Sequence, residues 1–223
     1  YINQLNNKIW YDQWVIINRK NKYIKYNPEI LYYSKFINEW EKVGRNPYIY
    51  VSKYCLDKNS RRGHLGNVKY LINRGIHYDQ YTLNHVARSG NKELVEFIMS
   101  KGIEPNQNTL NDAAWSGNRE LVESIINEGI QPNKDTLNYA AWSGNQELFE
   151  LIMSKGIEPD RCTLDRASLS NNQKLVEFII NKGIKINQLI LNNAAYIGNQ
   201  ELFEFIMSKG IEPDQDTLNN AAC

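Results

Sequence analysis

The chain has 223 residues, with 26 basic and 25 acidic side chains, so a net charge of +1 gives it no global attraction for a polyanion or a polycation. Three scattered cysteines (Cys55, Cys162, Cys223) imply no disulfide framework, and no apolar run reaches the roughly 18–20 residues that cross a bilayer. A signal peptide and glycosylation sequons are lacking, so a reducing, intracellular and cytoplasmic setting is expected.

Residues 1–54 do not repeat. "KIWYDQWVIINRKNKYIKYN" (8–27) reads either as a strand, through the alternation of Ile9, Tyr11, Gln13, Val15 and Ile17, or as a helix through Leu5, Ile9 and Ile16. "NPEILYYSKFINEWEKVG" (27–44) has helical spacing and ends on Gly44. A helical cap over the open apolar end of the rest of the chain is the plain expectation for this front segment. The alternatives are a separate recognition module or a segment resembling an F-box. The front is basic: residues 1–62 hold 12 basic and 5 acidic side chains, whereas residues 63–223 hold 14 and 20. The run "NRKNKYIKY" (18–26) reads as a solvated face rather than a nucleic-acid patch.

From residue 55 the chain repeats every 27 residues. Thr82-Leu83, Thr109-Leu110, Thr136-Leu137, Thr163-Leu164, Ile190-Leu191 and Thr217-Leu218 mark the period. Two further marks agree: Gly75, Gly102, Gly129, Gly156, Gly183 and Gly210, and Gly63, Gly90, Gly117, Gly144, Asn171 and Gly198. Cys55-Leu56 opens a degenerate first unit, and Cys223 stops a seventh unit after part of one helix. With Tyr1 rather than Met in first place, this reads as a piece of a longer product whose array continues beyond Cys223. Within one unit, Asp135 or Thr136 is expected to cap a first helix carrying Leu137, Ala140 and Ala141 on one stripe. Gly144 ends it, Asn145 caps a second helix with Glu147 in its first turn, and Leu148, Phe149, Leu151, Ile152 and Met153 form its apolar face. Gly156 stops this helix, and Pro159 holds the linker extended. Helices of about 8 and 11 residues are too short to stand alone. Each unit must bury its apolar face on the next, which makes the fold class an all-α solenoid of stacked short helix pairs.

The stretch "TLNDAAWSGNRELVESIINEGI" (109–130) resembles an ankyrin repeat. It matches at Leu110, Ala113-Ala114, Gly117, Glu120, Leu121-Val122, Ile125-Ile126 and Gly129, with Asn111 and Asn118 standing for the two histidines of the family pattern. The ankyrin unit has 33 residues. This one is shorter and lacks the Pro after Thr and most of the hairpin segment, so short loops are expected in place of hairpins. In style and composition the array is similar to abbreviated ankyrin-like arrays of giant DNA viruses of amoebae. "KGIEPDRCTLD" (155–165) also resembles a pentatricopeptide unit, which would imply single-stranded RNA as ligand. That match needs about one turn deleted from each helix, and the acidic balance of the repeats disfavours nucleic acid.

No chemistry-bearing constellation is legible. His64, His77 and His85 lack metal spacing, no cofactor motif occurs, and Glu93, Glu120, Glu147 and Glu201 recur with the frame as helix-start charges. The varying slots inform more. After Ala-Ala stand Arg88, Trp115, Trp142, Leu169 and Tyr196; after Leu-Asn stand His85, Asp112, Tyr139, Arg166 and Asn193. The ankyrin resemblance implies that these lie on the concave, partner-binding surface, with Trp115 and Trp142 side by side. The expected partner-binding residues are Arg88, Asp112, Trp115, Tyr139, Trp142, Arg166, Leu169 and Tyr196. The expected function is a non-enzymatic scaffold for another protein. RNA binding and a purely structural spacer or assembly component are the alternatives.

Overall fold

The computed structural model describes residues 47–73 and 75–221. Expectations about residues 1–46 and the slot at Cys223 lie outside the described residues. Among the described residues there are thirteen helices and no strand. In chain order they are α1 (Pro47–Arg61), α2 (Leu65–Asn73), α3 (Gln80–Arg88), α4 (Lys92–Met99), α5 (Gln107–Ser116), α6 (Arg119–Asn127), α7 (Lys134–Ser143), α8 (Gln146–Met153), α9 (Arg161–Ala167), α10 (Gln173–Asn181), α11 (Gln188–Tyr196), α12 (Gln200–Ser208) and α13 (Gln215–Ala221). None of the described helices is long and apolar enough to cross a membrane. Odd-numbered helices are the first helices of the units and pack on one another in chain order; each even-numbered helix packs on the odd one before it. The stack is therefore ordered as the sequence is, with one continuous apolar core threading it. Linkers are short turns and extended segments, as expected from the missing hairpin segment.

Local chemistry explains the unit. In α7 Leu137, Ala140 and Ala141 are fully buried, as are Leu148, Phe149 and Ile152 in α8. At about 1.5–3 kcal/mol per large apolar side chain, this burial dominates what each short helix gains. The first helix starts earlier than the sequence reading has it. The N-cap is Asn133, and Thr136 is the N3 residue of a capping box: the Asn133 side chain accepts from Thr136 N–H, and the Thr136 hydroxyl accepts from Asn133 N–H. Neither Asp135 nor Thr136 is the cap, because Thr at N3 serves the backbone one turn further back.

Two polar ladders tie successive units. In the first, the Thr136 hydroxyl donates to Asn111 Oδ1 of the preceding unit at 2.6 Å and accepts from Gln107 Nε2 at 3.1 Å. With Asn133 N–H as second donor to it, its one proton and two lone pairs are all used. Thr109 repeats this with Asn84 and Gln80, and Thr217 with Asn192 and Gln188. In the second ladder, Asn118 Oδ1 accepts from Leu121 N–H at 3.0 Å as N-cap of α6, while its Nδ2 donates to the Gly90 carbonyl of the previous unit at 2.8 Å. Gly117 satisfies two demands at once. Its φ is +74°, and a Cβ would lie 3.3 Å from that of Ser143 in the next unit.

Both ladders change between the unit at 163–189 and the unit at 190–216. Asp165 stands in the Asn slot, and the Thr slot facing it holds Ile190, fully buried. Asp165 Oδ1 is buried without a hydrogen-bond partner among the described residues. Asn171 replaces the αL glycine at φ 59°, and Asn199 Nδ2 donates to its side-chain oxygen at 2.8 Å in place of a carbonyl. Asn193 Nδ2 donates to Ser168 Oγ at 2.8 Å, a bond peculiar to this joint. α9 and α11 meet over far less of their length than the other adjacent first helices.

Candidate partner-binding face

On each first helix the fourth and seventh positions of the unit lie three residues apart, hence on one face. In α7 these are Tyr139 and Trp142, half-buried between buried Thr136, Leu137, Ala140 and Ala141. The stack aligns these positions from unit to unit into one strip. Arg88 and Arg166 are exposed on it, and Asp112, Trp115, Tyr139 and Trp142 are half-buried. Tyr196, 62% exposed, ends α11. Leu169 departs from the expected helix-end placement. α9 closes at Ala167 with Ser168 as its cap, and Leu169 sits in the turn beyond. Ser in the second Ala slot returns its hydroxyl to the Asp165 carbonyl at 2.8 Å, and the following αL residue is Asn171 rather than Gly.

Each tryptophan is covered by an arginine of a neighbouring unit. The Arg88 guanidinium carbon lies 4.1 Å from the centroid of the Trp115 ring, and Arg166 lies 4.7 Å from that of Trp142. Such stacks are worth about 0.5–1 kcal/mol at exposed sites. Arg88 Nη1 also stands 3.5 Å from Asp112 Oδ1. The strip thus reads Arg88, Trp115, Trp142, Arg166, two indoles between two guanidinium groups.

One member of the strip escapes the sequence reading. Arg61 donates from Nε and Nη2 to His85 Nε2 at 3.3 and 3.2 Å. Arginine has only donors, so His85 Nε2 is the acceptor and its ring is neutral. Burial, then Arg61, lowers the His85 pKa, with Lys53 and Arg88 adding to the effect and Asp57 opposing it. Running the 27-residue ruler back from Arg88 lands on Arg61, so the signal was present in the degenerate first unit. Burial raises the Asp112 carboxyl above the ordinary Asp range, against the pull of Arg88 and Arg61. Away from the first helices, Glu93, Glu120 and Glu147 occupy first turns of second helices, and Lys69–Glu93 (2.8 Å) and Arg119–Glu147 (3.3 Å) pair across units. No group of three or more His, Cys, Asp or Glu side chains that could hold a metal ion occurs among the described residues.

The family model for ankyrin repeats (3 copies) matches residues 110–190. Among solved structures, the human ASB11 ankyrin repeat domain is similar over 70% of this chain and 84% of that chain, at 17% identity and a TM-score of 0.47. Comparison with curated proteins gives no match.

Proposed function

We propose that this ankyrin-repeat array is a non-enzymatic scaffold that holds a partner protein along the first-helix strip, its concave face. Ankyrin repeats are generally protein–protein interaction modules. The observation that carries the reading is the pair of arginine-covered tryptophans left partly open to solvent along the stacked first helices. Aromatic and arginine side chains are the commonest energetic anchors of interfaces. Trp115 and Trp142 are the anchors; Arg88, Asp112, Tyr139, Arg166, Leu169 and Tyr196 surround them. A cytoplasmic setting, possession of no catalytic centre and kinship with arrays of giant DNA viruses belong to the same reading. The first is supported by Cys55 and Cys162, which form no disulfide among the described residues, the second by the absence of a catalytic constellation in the sequence, and the third by the abbreviated, Asn- and Tyr-rich repeats.

Trp115→Ser and Trp142→Ser, singly and together, test it. Thermal melting and capture of partners from cytosol are measured side by side. Capture should be lost while the cooperative melt is retained. Collapse of the melt with capture per folded molecule unchanged would make the indoles packing residues and sink the proposal.

A further inference from the structure

We infer that the partner segment is an acidic extended peptide whose carboxylates flank apolar side chains; the inference rests on the strip being the binding face. Three observations carry it. First, charge on the strip runs against the charge of the array. Residues 55–223 hold 17 basic and 21 acidic side chains, yet the fourth and seventh positions of the first helices hold Lys58, Arg61, Arg88 and Arg166 against Asp112 alone. His85 lies in this field: burial first, then Arg61, disfavours its ring as a cation, with Lys53 and Arg88 adding to the effect and Asp57 opposing it. Second, the geometry is that of a carboxylate receptor. A guanidinium lying over an indole keeps its in-plane N–H fork for a second partner, and bidentate carboxylate is what that fork matches. Among the described residues Arg166 has no ion pair, and its guanidinium rests on the Trp142 ring. Arg88 is held at 3.5 Å by Asp112, too long for a strong charge-assisted bond, so an incoming carboxylate competes with a weak contact. Third, the order along the strip places two indoles between the two forks. Arg88 and Arg166 stem from helices three steps apart, roughly 30 Å at 8–10 Å per packed pair. A peptide whose full extension is about 3.3–3.6 Å per residue needs at least about eight or nine residues to span this. Single-stranded RNA fits less well, because Asp112 interrupts the cations and the flanking surface is acidic.

A random dodecapeptide library displayed on phage is selected against the whole chain, and enriched peptides are measured by fluorescence anisotropy beside a single-stranded oligouridine. Asp and Glu should be enriched over the input library. Arg166→Gln should weaken the selected peptides roughly tenfold, and raised salt should weaken them too. Asp112→Asn should tighten them several-fold, because it frees Arg88 from its internal competitor. Absence of acidic enrichment, enrichment of Lys and Arg, oligouridine bound more tightly than the peptides, or an Asp112→Asn variant that binds more weakly would each overturn the inference. Trp115- and Trp142-dependent capture surviving any of those results leaves the binding face standing and removes only its charge preference. Loss of both removes the face.

Discussion

Asn118 makes two bonds that end in different units, and this decides what each substitution there should do. Its Oδ1 caps α6 and its Nδ2 holds the Gly90 carbonyl. Asn118→Ala removes both and should cost about 1–2 kcal/mol, read as a lower urea midpoint. Asn118→Asp keeps the cap and favours the helix dipole but turns a carboxylate on the carbonyl. It should stay less stable than the parent; equal stability would mean that the cross-unit bond contributes nothing. Asp165 poses the opposite problem. Burial pushes its carboxyl above the usual Asp range, although Arg161 and Arg166 pull it back. The folded chain then holds this proton to higher pH than the unfolded chain. The stability it contributes is full below the ordinary Asp pKa and is lost as pH rises through the raised value. Asp165→Asn should therefore raise the melting temperature at pH 7 by roughly 2–4 °C, for about 1 kcal/mol. Near pH 4 the advantage should shrink towards zero. The N-cap carboxyls behave in the other sense. Burial raises Asp79 and Asp160, but Lys53 and the Thr82 N–H outweigh it at the first, and the Thr163 N–H and Lys134 at the second, so both end below the usual range. The Thr217 N–H holds Asp214 low. Their contribution is lost as pH falls, in parent and variant alike, so it cancels from the difference. An advantage of Asp165→Asn that persists undiminished at pH 4 would refute the assignment.

A ladder rung is the natural element of this molecule, and the rungs show what the sequence could and could not say. The period, the two helices per unit, the glycine stops and the Asn145 cap were all legible, because each depends on one residue and its local backbone. The start of the first helix was misread by two or three residues, because a Thr at N3 and a Thr at N-cap look alike until the reciprocal bond to Asn133 is seen. The arginine–indole stacks were not legible. They join side chains 27 or 24 residues apart, Arg88 to Trp115 and Arg166 to Trp142, and the cation comes from the unit before in one case and from the unit after in the other. The changed joint was half visible: Ile190 and Asn171 interrupt two of the marks, but that Asp165 faces the same gap requires the stack. Rebuilding that rung is a direct test. In the double variant Asp165→Asn with Ile190→Thr, the new hydroxyl has an acceptor across the joint and a backbone donor at Asn187, as at Thr136. Ile190→Thr alone loses buried apolar contact but supplies a hydroxyl donor to the orphaned Asp165 Oδ1, so its net effect should stay within about 1 kcal/mol of zero. Because Asp165→Asn changes the acceptor of that hydroxyl, a double-mutant cycle should give a coupling of about 0.5–1.5 kcal/mol in magnitude. Strict additivity would show that the two slots do not form a rung.

In a stack where each unit touches only its neighbours, the weakest joint sets where the whole molecule comes apart. Five of the six junctions between first helices are closely packed, and the one between α9 and α11 is not. There the apolar contact is smallest, one ladder has lost its hydroxyl, and the other has exchanged a carbonyl for the side chain of Asn171. Beyond it a full rung remains between Thr217 and Asn192, bridged by Gln188 at the start of α11, so residues 190–221 stay tied to one another. They should therefore open as a block. Amide hydrogen exchange read by mass spectrometry should give residues 190–221 one shared opening energy, below that of residues 109–162. Fraying from the chain end would also lower protection there, but it would grade smoothly towards Ala221 and would not respond to the joint. The rebuilt rung, Asp165→Asn with Ile190→Thr, separates the two causes. If the joint governs, protection of 190–221 should rise towards that of 109–162 while units further back change little. If fraying governs, the variant should leave the gradient where it was. The same comparison bears on binding, since Tyr196 lies past the joint and Trp115, Trp142 and Arg166 lie before it. A partner that engages all four must hold the joint closed, so its binding should protect 190–221 from exchange by more than it protects the units around Trp115; a partner confined to the two indoles should leave that block as labile as in the free chain.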